Sequence, residues 1–214
     1  MLRAPRAERL AIPGPAGDLQ ALLEIPLHEG GEAPVRAFGV VCHPHPLYGG
    51  TMDNKVVHTV ARAFEEQGAA AIRFNFRGVG ASAGSYDEGR GETEDALSVI
   101  AWGRARWPQA ALWLGGFSFG GAVAVLAAAK SRPERVVLIA PGVTKIDVTG
   151  APPPGCPWLI VQGDADEVVP ADFVLGWARG LNPAPQVAVM AGASHFFHGR
   201  INELRDLIVG FDPA

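Results

Sequence analysis

Ala111-Leu112-Trp113-Leu114-Gly115-Gly116-Phe117-Ser118-Phe119-Gly120-Gly121-Ala122-Val123-Ala124-Val125 is the stretch that decides the fold. It reads as an apolar strand, a glycine-bounded turn with one serine at its tip, and an alanine-rich helix. Gly116-Phe117-Ser118-Phe119-Gly120 fits G-x-S-x-G in the strand-to-helix context which that pattern requires. A serine on so sharp a turn brings the residues two places either side of it close together, where side chains would clash. The helix that follows aims its free N–H groups back at the turn, where they favour developing negative charge.

Outward from this unit the chain alternates strand and helix. Residues 9–12 and 19–25 bracket a turn-rich 13–18 and predict an antiparallel hairpin, with a polar loop at 28–34. Strands are expected at 35–42, 69–75, 135–140, 157–162 and 186–190, and helices at 54–67, 92–107, 171–181 and 199–209. The strands are almost wholly apolar, as strands covered on both sides must be. Right-handed crossovers between them give a mostly parallel central sheet, antiparallel at the N-terminal hairpin, with helices on both faces. The whole of 1–214 is expected to form one α/β domain, with Pro152-Pro153-Pro154 a stiff connector inside it.

Composition narrows the function. With 48% hydrophobic and 19% charged residues and a net charge of −4, the chain is globular and has no basic character to recommend nucleic acid or an anionic membrane. The first residues, Met1-Leu2-Arg3-Ala4-Pro5-Arg6, carry no apolar leader, and no run is long enough to span a bilayer. Two cysteines, Cys42 and Cys156, make no disulfide framework. A cytoplasmic enzyme acting on a small molecule is the expectation; whether it forms a homo-oligomer is open.

A serine alone is a poor nucleophile at neutral pH and needs a base, and the base needs a group to orient it. In a parallel sheet those groups gather beyond the C-terminal ends of the strands. There the sequence offers Gly163-Asp164-Ala165-Asp166-Glu167-Val168-Val169-Pro170 and, later, Gly192-Ala193-Ser194-His195-Phe196-Phe197-His198. The order is therefore Ser118, Asp, His.

With the His43-Pro44-His45-Pro46 loop and Arg77-Gly78-Val79-Gly80-Ala81-Ser82, these features resemble the α/β-hydrolase superfamily over nearly the whole chain from Leu19. The likeness is to its small, lid-poor bacterial serine hydrolases. The resemblance implies a Ser118–His195–Asp166 triad, because a G-x-x-D-x-x-V-P pattern falls on Asp166 and a G-x-x-H-F pattern on His195. Asp164, directly after Gly163, is better placed to fix the turn through nearby backbone N–H groups. His198 sits where the last helix begins and belongs to the rim. The implied activity is acyl transfer on a carboxylic ester, with a thioester or a peptide bond as alternatives, and no cofactor.

The oxyanion hole needs two backbone donors. One is expected from Phe119, the residue after the nucleophile. The second must come from the loop after strand 35–42, where Pro44 and Pro46 have no N–H to give. That leaves His45 or Leu47, and Leu47 is the expected donor. A metal held by His43 and His45 would lack a third ligand, so these side chains are expected to hold the loop. Gly78-Val79-Gly80-Ala81-Ser82-Ala83 also fits the dinucleotide fingerprint G-x-G-x-x-A, but Gly84 to Gly91 keeps the chain in loop where a true fingerprint opens a helix. A dinucleotide-binding protein, or a binding scaffold without chemistry, is the alternative of another class.

Overall fold

A computed structural model describes residues 3–27 and 34–211. The polar loop expected at 28–34 therefore lies outside the described residues, apart from Pro34. Among the described residues eight strands form one sheet: β1 (Arg3–Gly14), β2 (Gly17–Leu27), β3 (Ala37–Cys42), β4 (Ala70–Phe74), β5 (Ala111–Phe117), β6 (Arg135–Ile139), β7 (Trp158–Gly163) and β8 (Gln186–Met190). Their order across the sheet is β1-β2-β4-β3-β5-β6-β7-β8. The β1–β2 and β2–β4 pairs are antiparallel and every later pair is parallel.

Among the described residues five α-helices cover this sheet: α1 (Lys55–Glu66), α2 (Arg90–Arg106), α3 (Phe119–Ser131), α4 (Ala171–Arg179) and α5 (Ile201–Val209). Strands β3, β4, β6 and β7 are buried at every position, so their alternate side chains feed two cores. Phe38, Val40 and Cys42 join α2, α3 and α4 on one face, while Val41 joins Val57, Val60 and Phe64 of α1 and Leu204 and Ile208 of α5 on the other. Helix α1 shows why sequence dictates this arrangement. Its apolar residues recur at helical spacing, and the Asn54 carboxamide caps it by accepting from the Val56 N–H at 2.9 Å.

The hairpin is longer than the sequence suggests. Pro13 and Gly14 belong to β1, paired with Asp18 and Gly17, and the turn shrinks to Pro15 and Ala16. Strand β1 lies at the sheet edge, where a proline loses no ladder bond. Between β6 and β7, residues 140–157 run in turns and bends with no helix, so nothing is inserted above the site. This is the lid-less α/β-hydrolase fold. Among the described residues no helix is long and apolar enough to cross a membrane.

Candidate active site

Ser118 stands between β5 and α3 with φ 55° and ψ −120°, a backbone conformation that costs a non-glycine residue about 1–3 kcal/mol. Backbone hydrogen bonds hold it there. Its N–H donates to the Ile139 carbonyl at 2.9 Å, and its own carbonyl accepts from Gly121 at 2.9 Å and Gly142 at 2.8 Å. The flanking glycines are steric necessities. A Cβ on Gly116 would lie 2.2 Å from the Gly120 carbonyl oxygen, and one on Gly120 would lie 2.4 Å from the Cys42 and His43 oxygens. The Ser118 turn is thereby pressed against the end of β3.

The structure brings Ser118, His195 and Asp166 into one hydrogen-bonded line. Ser118 Oγ lies 3.0 Å from His195 Nε2, and His195 Nδ1 lies 2.8 Å from Asp166 Oδ2. All three residues are nearly closed to solvent, at 8%, 2% and 8% exposure in that order. Asp166 Oδ1 accepts from the Val168 and Val169 N–H groups at 2.9 and 2.7 Å. Burial alone would raise the Asp166 pKa, but the bonds from His195, Val169 and Val168 outweigh it and hold the carboxyl below its ordinary value. It is therefore ionised at neutral pH and fixes the proton of His195 on Nδ1, leaving Nε2 free to accept from the serine hydroxyl.

The rival residues lie elsewhere. Asp164 Oδ1 accepts from the Gly192 N–H at 2.5 Å and so ties the β7 and β8 loops together. His198 is exposed and its Nδ1 lies 2.7 Å from Lys55 Nζ. Two supporting residues had no reading in the sequence. Gln162 Nε2 donates to Asp166 Oδ2 at 3.1 Å and to the Val169 carbonyl at 3.1 Å. Glu167 Oε2 accepts from the His195 N–H at 3.2 Å. A signal for Gln162 existed: it is the single carboxamide at the end of the otherwise apolar Trp158–Gly163 strand.

On the other side of Ser118 the loop after β3 folds into a 3-10 turn over Pro46–Tyr48. The Leu47 N–H points at the His45 ring and donates to Nδ1 at 3.2 Å, so it is spent inside the turn. Among the described residues, the N–H groups of His45 and Phe119 donate to no acceptor. His43 holds the loop from beneath. Its Nε2 accepts from the Phe76 N–H at 3.0 Å, its Nδ1 lies 2.6 Å from the Pro44 carbonyl, and burial pushes its pKa down to about 4. Both of its nitrogens are thus committed to the backbone.

The Gly78–Ala83 segment does not open a helix. Gly78 N–H bonds back to Ala83, and Ala83 N–H to Asp18, which folds the loop onto the hairpin. The N-terminus of α2 is filled by the chain's own acids: Glu92 accepts from the Asp87 and Gly89 N–H groups, and Asp87 from Gly91. A pyrophosphate would have to displace them.

A strained serine at the tip of a strand–turn–helix, bonded to a histidine that is itself bonded to a buried aspartate, with the two on successive strand-end loops, defines an α/β serine hydrolase. Residues 36–155 match the family model described as serine aminopeptidase, S33. Uncharacterized protein RP471 of Rickettsia prowazekii is 35% identical over 187 residues, 82% of this chain and 78% of that protein. The chain therefore belongs to this hydrolase family. Two solved structures are similar throughout. XC6422 from Xanthomonas campestris, described as an α/β serine hydrolase without lid, has 42% identity and a TM-score of 0.89 over 95% of this chain and 92% of that one. An α/β serine hydrolase homologue from Coxiella burnetii has 45% identity and a TM-score of 0.87 over 94% and 95%.

Proposed function

We propose that this protein is a carboxylesterase for small or short-acyl esters, working through Ser118, His195 and Asp166. Ser118 Oγ attacks the ester carbonyl carbon while His195 Nε2 takes its proton. The tetrahedral intermediate places its negative oxygen between the N–H groups of Phe119 and His45, the latter in place of Leu47. Each such donor is worth ~3–4 kcal/mol in the transition state. His195 then protonates the alkoxide as the C–O bond breaks. Water, deprotonated by the same His195, attacks the acyl carbon; the bond to Ser118 Oγ then breaks, His195 returns the proton to Oγ, and the carboxylic acid leaves. Asp166 stays ionised throughout and stabilises the imidazolium.

The single observation that carries this reading is the 3.0 Å and 2.8 Å hydrogen-bonded line from Ser118 to Asp166. An ester is favoured over the N-terminal peptide bond that the family's name suggests. An aminopeptidase must hold a free ammonium beside the acyl carbon with an unspent carboxylate. The acids on that side are committed: Asp87 and Glu88 to Arg90, and Glu92 to two amides. We place the reaction in the cytoplasm, in keeping with free thiols at Cys42 and Cys156.

Labelling of Ser118 by an alkyl fluorophosphonate, together with turnover of an ester panel and a Ser118→Ala control, tests this. A protein that is not labelled and hydrolyses nothing is a scaffold without chemistry.

A further inference from the structure

Sheet order sets which group of a substrate meets which loop. The loops that carry Asp166 and His195 follow β7 and β8, on one flank of β5, while those that carry His45 and Tyr86 follow β3 and β4, on the other. A leaving-group oxygen must reach His195 Nε2 to collect its proton, so the alcohol departs over the first flank. The oxyanion takes the amides, and the acyl group is left to lie along the second flank. This assignment rests on the proposed ester hydrolysis.

That second flank is built of rings. The His45 ring lies 4.9 Å from the Phe119 ring, 5.0 Å from Tyr86 and 4.6 Å from Tyr48. Tyr86 is itself 5.9 Å from Phe119, the residue next to the nucleophile, and its hydroxyl is 3.3 Å from His45 Nε2. Leu47 N–H on Nδ1 and the tyrosine hydroxyl beside Nε2 hold the imidazole as a fixed, neutral plate. Burial lowers the pKa of His45, which agrees with that state. Tyr48 is 86% exposed and Leu47 66% exposed, and both edge this plate. Among the described residues seven large apolar side chains are exposed; Leu47 and Tyr48 lie on this flank, and Val168 and Phe196 on the loops of the other. Adjacent apolar side chains left open on one loop mark a ligand surface rather than scatter.

We infer that Tyr48, His45 and Tyr86 form a shelf for a planar aromatic acyl group, so that the preferred substrates are esters of small arylalkanoic or aryl carboxylic acids. A flat ring covers and is covered by such a shelf edge-on or offset, and aromatic pairs exceed the value of the same buried area. A saturated ring of equal size buries similar area without that preference.

The experiment compares kcat/KM for methyl phenylacetate and methyl cyclohexylacetate, each divided by its hydroxide-catalysed rate constant. The same comparison of benzyl acetate with cyclohexylmethyl acetate probes the alcohol side. The expected aromatic preference is about 2- to 12-fold on the acyl pair and near unity on the alcohol pair. In Tyr48→Leu and Tyr86→Leu the acyl-pair ratio falls toward unity; Tyr48 is too exposed for its loss to unfold the protein. An acyl-pair ratio of unity in wild type, or a preference confined to the alcohol pair, overturns the shelf. Fluorophosphonate labelling of wild type separates this from failure of the esterase reading. A labelled, ester-hydrolysing protein with no aromatic preference refutes only the shelf, whereas an unlabelled, inactive one refutes both.

Discussion

The two flanks of Ser118 are built by different means. On the side of β7 and β8 the work is done by side chains: a carboxylate, an imidazole and a carboxamide, buried and bonded atom to atom. On the side of β3 and β4 the proposed oxyanion donors are backbone N–H groups, and the Tyr48 and Tyr86 rings there lie against that of His45. The difference follows from the tasks. Moving a proton requires groups whose ionisation is fixed by burial and by partners. Receiving negative charge requires only oriented dipoles. The residues that supply those dipoles therefore need no ionisable side chain for the task.

The sharpest break in this comparison comes from the proton-moving flank. Ser118→Ala, His195→Ala and Asp166→Asn are each expected to lower kcat by about 10⁴- to 10⁶-fold with the fold intact by circular dichroism. Asp164→Asn and His198→Ala should lose no more than several-fold, since Asp164 ties loops and His198 sits beside Lys55. A dead His198→Ala beside an active His195→Ala would reassign the base.

The charge-receiving flank is next in size. His45 has φ −52° and ψ 123°, a backbone that proline adopts without strain. His45→Pro thus deletes one N–H, while His45→Ala loses the same imidazole and keeps the N–H. We expect His45→Pro to fall about 10²- to 10³-fold below His45→Ala in kcat. Equal activity of the two variants would remove His45 as a donor.

These two flanks were not equally legible in the sequence. Asp166 and His195 follow apolar strands in a fixed order, and their chemistry is a property of residue type. The prolines at 44 and 46 excluded two donors in the same way. The choice between His45 and Leu47, however, depends on where an N–H points, and in the structure the Leu47 amide donates to the His45 ring. Pro13 and Gly14 misled for a related reason. Both are turn formers locally, yet edge position admits them to β1. The grip of His43 on Phe76 joins residues 33 places apart, which no local pattern encodes.

That grip gives a thermodynamic handle on the second flank. His43 has an ordinary value of 6.5 and a folded value of about 4, so between these the unfolded chain takes up a proton that the folded one refuses. Its contribution is complete above about pH 6.5 and is lost as pH falls toward 4, roughly 3 kcal/mol in all. Glu65, which burial and Glu24 raise from 4.5 to about 7, acts in the opposite sense as pH rises through that window. The measurement is therefore a difference: urea unfolding of wild type and His43→Gln from pH 7.5 to 4. The wild type should lose more stability on acidification than the variant, and parallel curves would show that His43 is not held neutral by burial.

The smallest expected effect concerns how far the acyl flank extends. With residues 140–157 in turns, no helix is laid over the site, and the apolar wall on this flank is the rings at 45, 48, 86 and 119 with Leu47 beside them. Each methylene that the protein covers stabilises binding by ~0.8 kcal/mol, close to fourfold in affinity; a methylene in water contributes nothing. For p-nitrophenyl esters from acetate to palmitate, kcat/KM should rise by no more than a few-fold over the first carbons and then level or fall. The turning point should come at about the length of one ring, because that is the reach of the shelf. Nor should activity jump above the micelle threshold, since there is no lid to open at an interface. A steady climb to palmitate would require a channel of buried apolar surface beyond Tyr48 and Tyr86, and the charge-receiving flank would then be a tunnel mouth in place of an open shelf.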